Sequence, residues 1–423
     1  MKRTEMFIKT RRDAPSDETA RNAQLLIRAG YIHKEMAGVY SYLPLGLITL
    51  QNIMEVIRQE INKIGGQELL MSTLQPKESW EKSGRWHDDV VDIWFKTKLH
   101  SGKNFHQGPE LGLGNTHEEA LITIMTNFIN SYKDLPLSAY HFQTKFRNEP
   151  RAKSGLLRCR EFIMKDLYSF SKTQTEHDEF YEKAKTAYTK IFERLGLGGD
   201  TYLTFASGGT FSKYSHEFQT VTDVGEDTIY VHQGKRLAVN QEVLNDETLN
   251  SLGLNKSDLV EKKAVEVGNI FPLGTKFTEA LGLTFTDENG QSKPVIMGSY
   301  GIGPGRAMGT IVEHFADDKG LVWPDEIAPA KVYLIALGSE PETMVAADQL
   351  YERLTAAGVG VIYDNRRGSA GEMFADADLL GMPIRLVVST KTLAENAVEI
   401  KPRNSDDPQL INQEKIVDAV AKQ

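Results

Sequence analysis

Two separated segments of this chain carry residue types that together could bind one nucleotide. The first contains Arg147 and Glu149, followed by a basic loop and Phe162, and the second is a glycine-rich run that ends at Arg306. A guanidinium group can hold a phosphate through two hydrogen bonds, and a carboxylate can accept one from an adenine amino group. The residues therefore predict a nucleotide site, with the arginines on phosphate, Glu149 on the base and Phe162 stacked against it.

Positive charge is concentrated at the first segment. Seven Lys and Arg residues lie between positions 145 and 165 against two acids, in a chain whose formal net charge is −9. A basic focus on an acidic protein indicates a polyanionic ligand at one place rather than a general nucleic-acid coat. Taken alone, an Arg-x-Glu pair is more often a surface ion pair. The glycine-rich run is neither a Rossmann fingerprint nor a phosphate loop, and alone it is more often a structural turn.

Other polar residues are weaker candidates. Thr116 and Glu118 precede an apolar helix predicted from Ala120 to Phe128. There they either cap the helix or bind an ammonium group. His216 is a candidate substrate contact, and Glu217 beside it is a candidate Mg²⁺ ligand. The other histidines show no metal-ligand spacing.

Arg366 and Arg367 follow a predicted strand near the C-terminus. They are candidate nucleic-acid contacts, with a solvated loop as the alternative. Residues 331–423 carry ten basic and fourteen acidic side chains. Charge alone therefore does not support RNA binding in that part of the chain.

Composition limits the class of protein. At 423 residues the chain is long enough for two or three domains, and 40% apolar with 25% charged residues is ordinary for a globular protein. The single cysteine, Cys159, excludes an internal disulfide and a site with several thiolates, so no zinc is expected. No apolar h-region of a secretory signal begins the chain, and no apolar run approaches the roughly 20 residues of a membrane span. We therefore expect a cytoplasmic protein without membrane contact.

Hydrophobic spacing and turn residues predict the elements. The first part of the chain is predicted to contain helices at 18–30, 45–64, 175–195 and 305–315, a strand at 68–73, and extended segments at 140–146 and 161–170. The two extended segments predict a hairpin that presents the basic loop. Residues 232–265 are polar and predict a short insert or a surface helix pair. After a break near Trp323–Pro329, strands and helices alternate, with strands at 331–337, 359–363 and 384–388 and helices at 342–357, 371–381 and 410–421.

With these residues in view, nearly the whole chain resembles bacterial-type prolyl-tRNA synthetases, which are class II aminoacyl-tRNA synthetases. The resemblance rests on Leu26–Gly46, Thr116–Glu118, a second motif from Phe146 to Asp166, a third from Gly298 to Arg306, Val267–Lys276 and Phe374–Arg385. The second and third motifs are common to class II, and the other stretches are specific to proline.

The resemblance implies an α+β class II catalytic domain, an antiparallel sheet flanked by helices, over residues 1–328. A C-terminal α/β anticodon-binding domain would cover 329–423. The implied activity forms prolyl-adenylate and pyrophosphate from proline and ATP with Mg²⁺, and then transfers the prolyl group to the 3′ end of the tRNA for proline. The resemblance also implies a homodimer that meets at the 45–64 helix and the strand after it.

The resemblance also assigns roles to individual residues. By it, Arg147 holds the ATP α-phosphate, Glu149 the adenine amino group, Phe162 the adenine ring and Arg306 the γ-phosphate. The residues of the implied proline pocket are Thr116, Glu118, Asp166, His216 and Ser299. The tRNA contact implied by the resemblance is Arg151, at the acceptor end.

The chain departs from the family in its short insert. The segment 232–265, about 34 residues long, replaces a large editing insertion and lacks the apolar content of a second hydrolytic cavity. We therefore expect that the protein does not clear mischarged alanyl-tRNA, and that a separate editing protein does so or the error is tolerated. Asn269 also stands where the family often has His.

Two rival interpretations remain. One is another class IIa synthetase, of which the threonyl enzyme would need a Cys/His zinc site. The other is a non-catalytic synthetase-like regulatory or accessory protein, which would have no need of Arg147, Glu149 and Arg306.

Overall fold

The protein is described from a computed structural model that covers residues 1–7, 9–98, 108–150, 152, 154–208 and 214–422. Arg151, the predicted acceptor-end contact, lies outside these residues. Contacts divide the chain into a terminal unit, formed by Met1–Glu35, Tyr40–Ile53 and Ile311–Gln423, and a central unit, formed by Met36–Val39 and Met54–Thr310. Among the described residues, no helix combines the length and apolar character needed to cross a membrane.

Helices and strands alternate irregularly along the chain. The α-helices are α1 (Arg21–Arg28), α2 (Pro44–Lys63), α3 (Lys77–Lys82), α4 (Glu118–Met125), α5 (Gln174–Arg194), α6 (Asp246–Leu252), α7 (Lys276–Leu281), α8 (Pro304–Phe315), α9 (Pro341–Ala356), α10 (Ala370–Leu380), α11 (Thr390–Ala394) and α12 (Ile416–Lys422). The strands are β1 (Ile32–Met36), β2 (Val39–Tyr42), β3 (Gln67–Glu68), β4 (Leu74–Pro76), β5 (Phe95–Lys98), β6 (Glu110–Leu113), β7 (Leu137–Phe146), β8 (Glu161–Ser171), β9 (Thr201–Ser207), β10 (Tyr214–Val221), β11 (Asp227–His232), β12 (Leu237–Asn240), β13 (Val260–Gly274), β14 (Thr284–Thr286), β15 (Ser292–Pro294), β16 (Ile296–Ile302), β17 (Val332–Leu337), β18 (Val361–Asp364), β19 (Ile384–Ser389), β20 (Ala397–Pro402) and β21 (Gln409–Asn412).

The central unit is built on a nine-stranded sheet in the order β10-β9-β12-β11-β13-β16-β8-β7-β3. Strands β7 and β8 form the predicted antiparallel hairpin, in a register that runs from Leu137 opposite Phe170 to Phe146 opposite Glu161. Strand β16 pairs antiparallel with the other edge of β8, and β13 pairs antiparallel with β16. This mainly antiparallel sheet, flanked by helices such as α4 and α5, is the class II catalytic fold expected from the sequence.

The prediction of a surface helix pair at 232–265 was wrong. The segment contains only one α-helix, α6. Strand β12 before this helix and the first residues of β13 after it belong to the sheet. Strand pairings run from β13 to β10, β9, β12, β11 and back to β13, so these five strands form a closed circuit of pairings. The apolar residues Ala238 and Val239 are buried in two small clusters on opposite faces of β12, which explains why a polar segment without helical periodicity is ordered.

The predicted strand at 68–73 was also mostly wrong. Only Gln67 and Glu68 pair with β7, where they form the edge strand β3, and the next pairing begins at Leu74 in β4. Leu70 between them is 80% exposed. An apolar run can therefore be extended without joining the sheet when one of its side chains is left on the surface.

The terminal unit contains a five-stranded sheet in the order β18-β17-β19-β20-β21. The first three strands are parallel and the last two are antiparallel to their neighbours. The alternating strands and helices predicted up to residue 388 are present within a few residues, as expected for an α/β domain. The predicted helix at 410–421 was partly wrong because its first residues form β21. The side chain of Asn412 caps the turn that separates β21 from α12 by accepting from the Glu414 amide.

Candidate active site

Most of the predicted site residues of the central unit line two neighbouring cavities beside strands β7, β8, β13 and β16. One cavity, of about 260 Å³, is lined by Thr116, Glu118, Arg147, Asp166 and Ser299 among others. The second, of about 190 Å³, is lined by Arg147, Glu149, Phe162, Arg306 and others. Arg147 lines both cavities. The two separated sequence segments are therefore brought together, as the sequence predicted.

Arg147 is the residue most available to a ligand. Its Nε donates to the Asn115 carbonyl at 3.2 Å, and its guanidinium lies 5.4 Å from the centre of the Phe162 ring. Within the described residues it makes no ion pair with a carboxylate. Burial lowers the pKa of Arg147, and the positive charge of Arg306 acts in the same direction. Two converging guanidinium groups, one of them unpaired, favour an anionic ligand between them.

Arg306 is held in place at the start of α8. Its Nε donates to the Leu157 carbonyl at 3.0 Å, and one terminal nitrogen contacts both the carbonyl and the carboxylate of Glu266 at 2.8 and 3.2 Å. The side chain therefore spans from the loop after β7 to β13. Because these contacts already order the Arg306 side chain, a ligand that binds to it loses less free energy to side-chain conformational entropy.

Arg147 and Glu149 line the same cavity, but neither lies on a strand. Strand β7 ends at Phe146, and the Glu149 amide donates to the Arg147 carbonyl at 2.7 Å in a tight turn. The carboxylate of Glu149 is ion-paired with Arg158 at 2.9 Å. Arg158 also contacts Glu226, so the basic loop that follows β7 is tied to the rim of the cavity.

Glu118 is the first residue of α4 and receives hydrogen bonds from several sides. The Thr116 hydroxyl donates to its Oε2 at 2.6 Å, and the Tyr168 hydroxyl donates to its Oε1 at 3.3 Å. Arg85 also approaches Oε2 at 3.3 Å. Arg85 is further paired with the buried Glu119 at 3.1 Å and lies 5.0 Å from the Trp80 ring. The Glu118 carboxylate is therefore fixed at the wall of the larger cavity, where it can accept from an ammonium group.

Asp166 belongs to a buried group of charges that the sequence did not reveal. The ammonium nitrogen of Lys145 lies 2.5 Å from Asp166 Oδ2, 2.6 Å from His117 Nδ1 and 3.1 Å from His141 Nε2. Three potential metal ligands, the two histidines and the aspartate, therefore surround a lysine. We call this group the Lys145 cluster.

The protonation states within the Lys145 cluster follow from its contacts. His117 Nε2 contacts the Ser72 carbonyl at 3.1 Å, so the ring donates there and its Nδ1 accepts from Lys145. Burial and the positive charge of Lys145 lower the pKa of His117 to about 2, which keeps the ring neutral. Burial alone would raise the pKa of Asp166, but Lys145 and His141 outweigh it and hold that pKa well below its usual range. Asp166 is therefore an ionised carboxylate on the wall of the larger cavity.

A second acidic group lies beside the smaller cavity. Glu217 is held by the Gln219 and Asn240 side-chain amides at 2.9 and 3.3 Å, and Gln219 also donates to Asp227 at 2.8 Å. Burial, followed by the negative charge of Glu266, raises the pKa of Glu217 to about 8. The side-chain oxygen of Gln219 is buried without a hydrogen-bond partner among the described residues. Oxygen ligands of this kind fit a hard divalent cation.

The structure places His216 apart from the cavity walls. His216 does not line either cavity, and its Nδ1 is 2.9 Å from the Tyr181 hydroxyl. Since that hydroxyl donates to the Ile270 carbonyl at 3.1 Å, the histidine donates to it in turn. Burial lowers the pKa of His216 to about 3, so the ring is neutral.

In the terminal unit, the two predicted RNA contacts differ. Arg366 forms a two-bond pair with Asp364, at 2.8 and 2.7 Å, and also pairs with Asp376 at 2.6 Å. Its guanidinium is therefore used within the unit. Arg367 is exposed at the same loop.

Sequence reasoning missed Arg85, Tyr168 and the Lys145 cluster. A signal for part of the cluster was present, because the hairpin register that pairs Phe146 with Glu161 also places His141 directly opposite Asp166. Arg85 lies in the segment between α3 and β5, whose sequence gave no indication that it reaches Glu118.

Comparison with known proteins agrees with the geometry. Residues 95–315 match the family described as tRNA synthetase class II core domain (G, H, P, S and T), and residues 331–423 match the family described as anticodon binding domain. A proline–tRNA ligase of Agrobacterium fabrum is 34% identical over 437 positions, which cover 97% of this chain and 98% of that protein. A proline–tRNA ligase of Exiguobacterium sibiricum is 32% identical over 567 positions, which cover 99% of both chains. The first alignment is close to the 423 residues of this chain, and the second requires a long gap.

The fold is also found among solved structures. A prolyl-tRNA synthetase of Cryptosporidium parvum, solved with halofuginone and AMPPNP, superposes with a TM-score of 0.79 at 19% identity. The match covers 95% of this chain and 76% of that one. The same enzyme with L-proline and AMP gives a TM-score of 0.76. At this identity the likeness concerns the fold.

Proposed function

This chain is a short member of the proline–tRNA ligases, which are class II aminoacyl-tRNA synthetases, and we propose a role for each of its site residues. The activity is the ATP-dependent joining of proline to its tRNA. The observation that best supports the assignment of roles is the shared position of Arg147, which lines both the cavity of Glu118 and the cavity of Arg306. A residue at that junction can hold the α-phosphate of ATP beside the proline carboxylate.

In the first step a carboxylate oxygen of proline attacks the α-phosphorus in line, and the bond to pyrophosphate breaks. No proton has to be removed, so the chain needs positioning and positive charge rather than a general base. Arg147 and Arg306 supply that charge on the α- and γ-phosphates. Phe162 lines the nucleotide cavity as the platform for the adenine, and Glu149 accepts from the adenine amino group.

Proline is held in the larger cavity. Its ammonium group donates to Glu118 and Thr116, which Arg85 and Tyr168 keep in place. Asp166 and Ser299 form the facing wall, while His216 acts from outside the lining. In the second step the terminal ribose hydroxyl of the tRNA attacks the prolyl carbonyl carbon, AMP leaves, and the hydroxyl proton departs with it.

The acidic group beside the nucleotide cavity fits the Mg²⁺ that accompanies ATP. Glu217 and Glu266 would hold the ion, which would neutralise phosphate charge and help to orient the pyrophosphate leaving group. The buried side-chain oxygen of Gln219, which has no hydrogen-bond partner among the described residues, is a further oxygen that such an ion could use.

Amino-acid-dependent ATP–pyrophosphate exchange, measured with each of the twenty amino acids, tests the function directly. Proline alone should give strong exchange. Exchange driven by threonine or another class IIa substrate would replace the assignment with a different synthetase. An absence of exchange with every amino acid, in a folded protein, would support a non-catalytic synthetase-like protein.

The residues following α2 support a homodimer. Leu70 is 80% exposed directly beyond the edge strand β3, which pairs only with β7 within the described residues. A twofold interface would bring this surface against its own copy.

Leu70→Asp should therefore convert a dimer into monomers at micromolar concentration, because it places an unpaired charge in the interface twice. Light scattering measures the mass. Val345→Asp, at a 54% exposed position on α9, is the matched control. A monomeric parent protein, or a dimeric Leu70→Asp variant, would contradict the proposal.

The short insert predicts that this chain does not hydrolyse alanyl-tRNA. Alanine fits any pocket that admits proline, and the missing methylenes supply only about 1–3 kcal/mol of discrimination, so some alanine should be activated. The apolar residues of 232–265 are packed into the small clusters around β12. Purified alanyl-tRNA for proline should therefore lose its alanine at the same rate with and without the protein. Deacylation well above the spontaneous rate would show that the segment, or another part of the chain, edits. We propose that a separate protein performs this step.

A further inference from the structure

Several residues near the N-terminus contact the strand β18 and the residues that follow it in the terminal unit. Lys2 pairs in parallel with Tyr363 of the edge strand β18, and the Thr4 amide and hydroxyl both contact the Asn365 side chain, at 3.2 and 3.1 Å. Arg11 is fixed through its amide, which donates to the Arg28 carbonyl at 2.8 Å. The segment thus adds to the edge of the sheet and continues beyond its carboxyl end.

One buried carboxylate joins this segment to the loop that follows β18. Asp376 accepts from the Thr10 hydroxyl at 2.6 Å through one oxygen and from Arg366 at 2.6 Å through the other. Because successive Cα atoms are about 3.8 Å apart, the residues next to Thr10 and the residue next to Arg366 lie near this carboxylate. The neighbours of Thr10 and the exposed Arg367 therefore lie on one side of the unit, at the carboxyl end of a parallel strand, where α/β sheets usually bind their ligands.

The exposed side chains of this segment have the composition of an RNA-binding surface. Lys9, Arg11 and Arg12 are exposed and make no ion pair within the described part of the chain. Phe7 is 73% exposed. Basic side chains beside a free aromatic ring are suited to phosphates and to an unstacked base.

Residues 331–423 contribute no net positive charge for RNA binding. Residues 331–423, which match the anticodon-binding family, carry ten basic and fourteen acidic side chains. Arg366 is used internally, as its pairs with Asp364 and Asp376 show. An RNA-binding unit with net negative charge needs a positive surface from elsewhere in the chain.

We propose that Phe7 and residues 9–12 form part of the tRNA-binding face of the terminal unit. Lys9, Arg11 and Arg12 contact phosphates of the tRNA, and Phe7 stacks on one of its unpaired bases. This inference rests on the proposed function, since it names a second surface for the same RNA partner.

The test measures binding of a fluorescent transcript of the tRNA for proline by anisotropy over a series of KCl concentrations. The variant Lys9→Gln/Arg11→Gln/Arg12→Gln should bind about tenfold more weakly. The slope of its plot of log Kd against log salt concentration should be smaller by about three, one for each lost phosphate contact. The matched control is Lys391→Gln/Lys415→Gln/Lys422→Gln, which removes three exposed lysines of the same unit that lie outside the N-terminal segment. Circular dichroism and thermal unfolding confirm that each protein is folded.

Phe7→Ala provides an independent measurement. It should weaken binding about fivefold or more and leave the salt dependence unchanged, because stacking involves no counterion release. Unchanged affinity and salt dependence in the triple variant would overturn the proposal, as would an equal loss in the lysine control. Failure of the parent protein to bind the tRNA at all, or to give proline-dependent exchange, would instead count against the proposed function.

Discussion

Replacement of Arg147 by alanine is expected to lower proline-dependent ATP–pyrophosphate exchange by about 10²–10³-fold, the usual effect of removing a preorganised charge contact to a transition state. The structural reason is that this guanidinium lines both cavities and has no carboxylate partner among the described residues. Its loss therefore removes phosphate binding without leaving a buried acid unpaired, and the free energy of unfolding should change little. Steady-state exchange at saturating ATP and proline measures the effect.

Two variants sharpen this prediction. Arg147→Lys keeps one positive charge but cannot form two parallel hydrogen bonds to a phosphate, so its exchange rate should lie between those of alanine and the parent. Arg353→Ala removes an exposed arginine from α9 that donates to the Gln413 carbonyl at 3.0 Å, and it should leave exchange unchanged. Near-normal exchange in a folded Arg147→Ala protein would sink the role assigned to this residue.

Replacement of Lys145 by methionine should be the most destabilising single change at the site. It leaves Asp166, which is only 5% exposed, without its closest positive charge at 2.5 Å. Breaking a buried ion pair from one side typically costs about 3–5 kcal/mol. Chemical denaturation measures the free energy of unfolding, and exchange should fall as well because Asp166 lines the cavity proposed to bind proline.

The pH dependence of this variant is specific to the buried carboxylate. In the parent protein the pKa of Asp166 is depressed, so its contribution to stability is present above the unfolded pKa of about 3.9 and is lost as the pH falls through the lower folded pKa. Without Lys145, burial should raise that pKa, and the variant should lose stability as the pH rises above about 4. The difference in unfolding free energy between the two proteins should therefore grow from pH 4 to pH 7.

A second substitution separates charge from packing. Lys145→Met/Asp166→Asn removes both charges of the pair, so it should recover part of the lost stability and lose the growth of the difference with pH. Exchange should not recover. A constant difference between Lys145→Met and the parent across this pH range would attribute the loss to packing rather than to the charge on Asp166.

The sequence predicted which residues lie together where chemistry and local pattern agreed. Arg147, Phe162 and Arg306 were found because charged and aromatic residues stand out in motifs, and the hairpin between them follows from alternating apolar residues and a polar loop. The Lys145 cluster was not found, because a buried lysine has no sequence signature of its own and becomes visible only when β7 and β8 are paired in register. Arg366 is the opposite case, because the sequence predicted a residue available to RNA, whereas its guanidinium is paired with two aspartates of its own unit.

The fold errors have a common physical origin. Residues 232–265 lack a strong period because β12 and the start of β13 are short pieces of a sheet whose other strands lie elsewhere in the chain. Their order is imposed by partners distant in sequence, such as Leu203 opposite Leu237. In the run after Glu68, pairing with β7 ends after a last backbone hydrogen bond from Leu69 to Tyr140, and Leu70 is left exposed although it is apolar.

The lysine at the centre of His117, His141 and Asp166 makes the cation beside the proposed proline cavity a permanent part of the polypeptide. A metal ion in such a setting would exchange with the surroundings, compete with other ions and depend on supply, whereas a tethered ammonium is delivered in fixed stoichiometry when the chain is translated. Chelators cannot remove it, and a shortage of trace metals cannot leave newly made molecules incomplete at this position. The arrangement also makes this position sensitive to mutation, because a substitution of Lys145 removes the cation that lies 2.5 Å from Asp166.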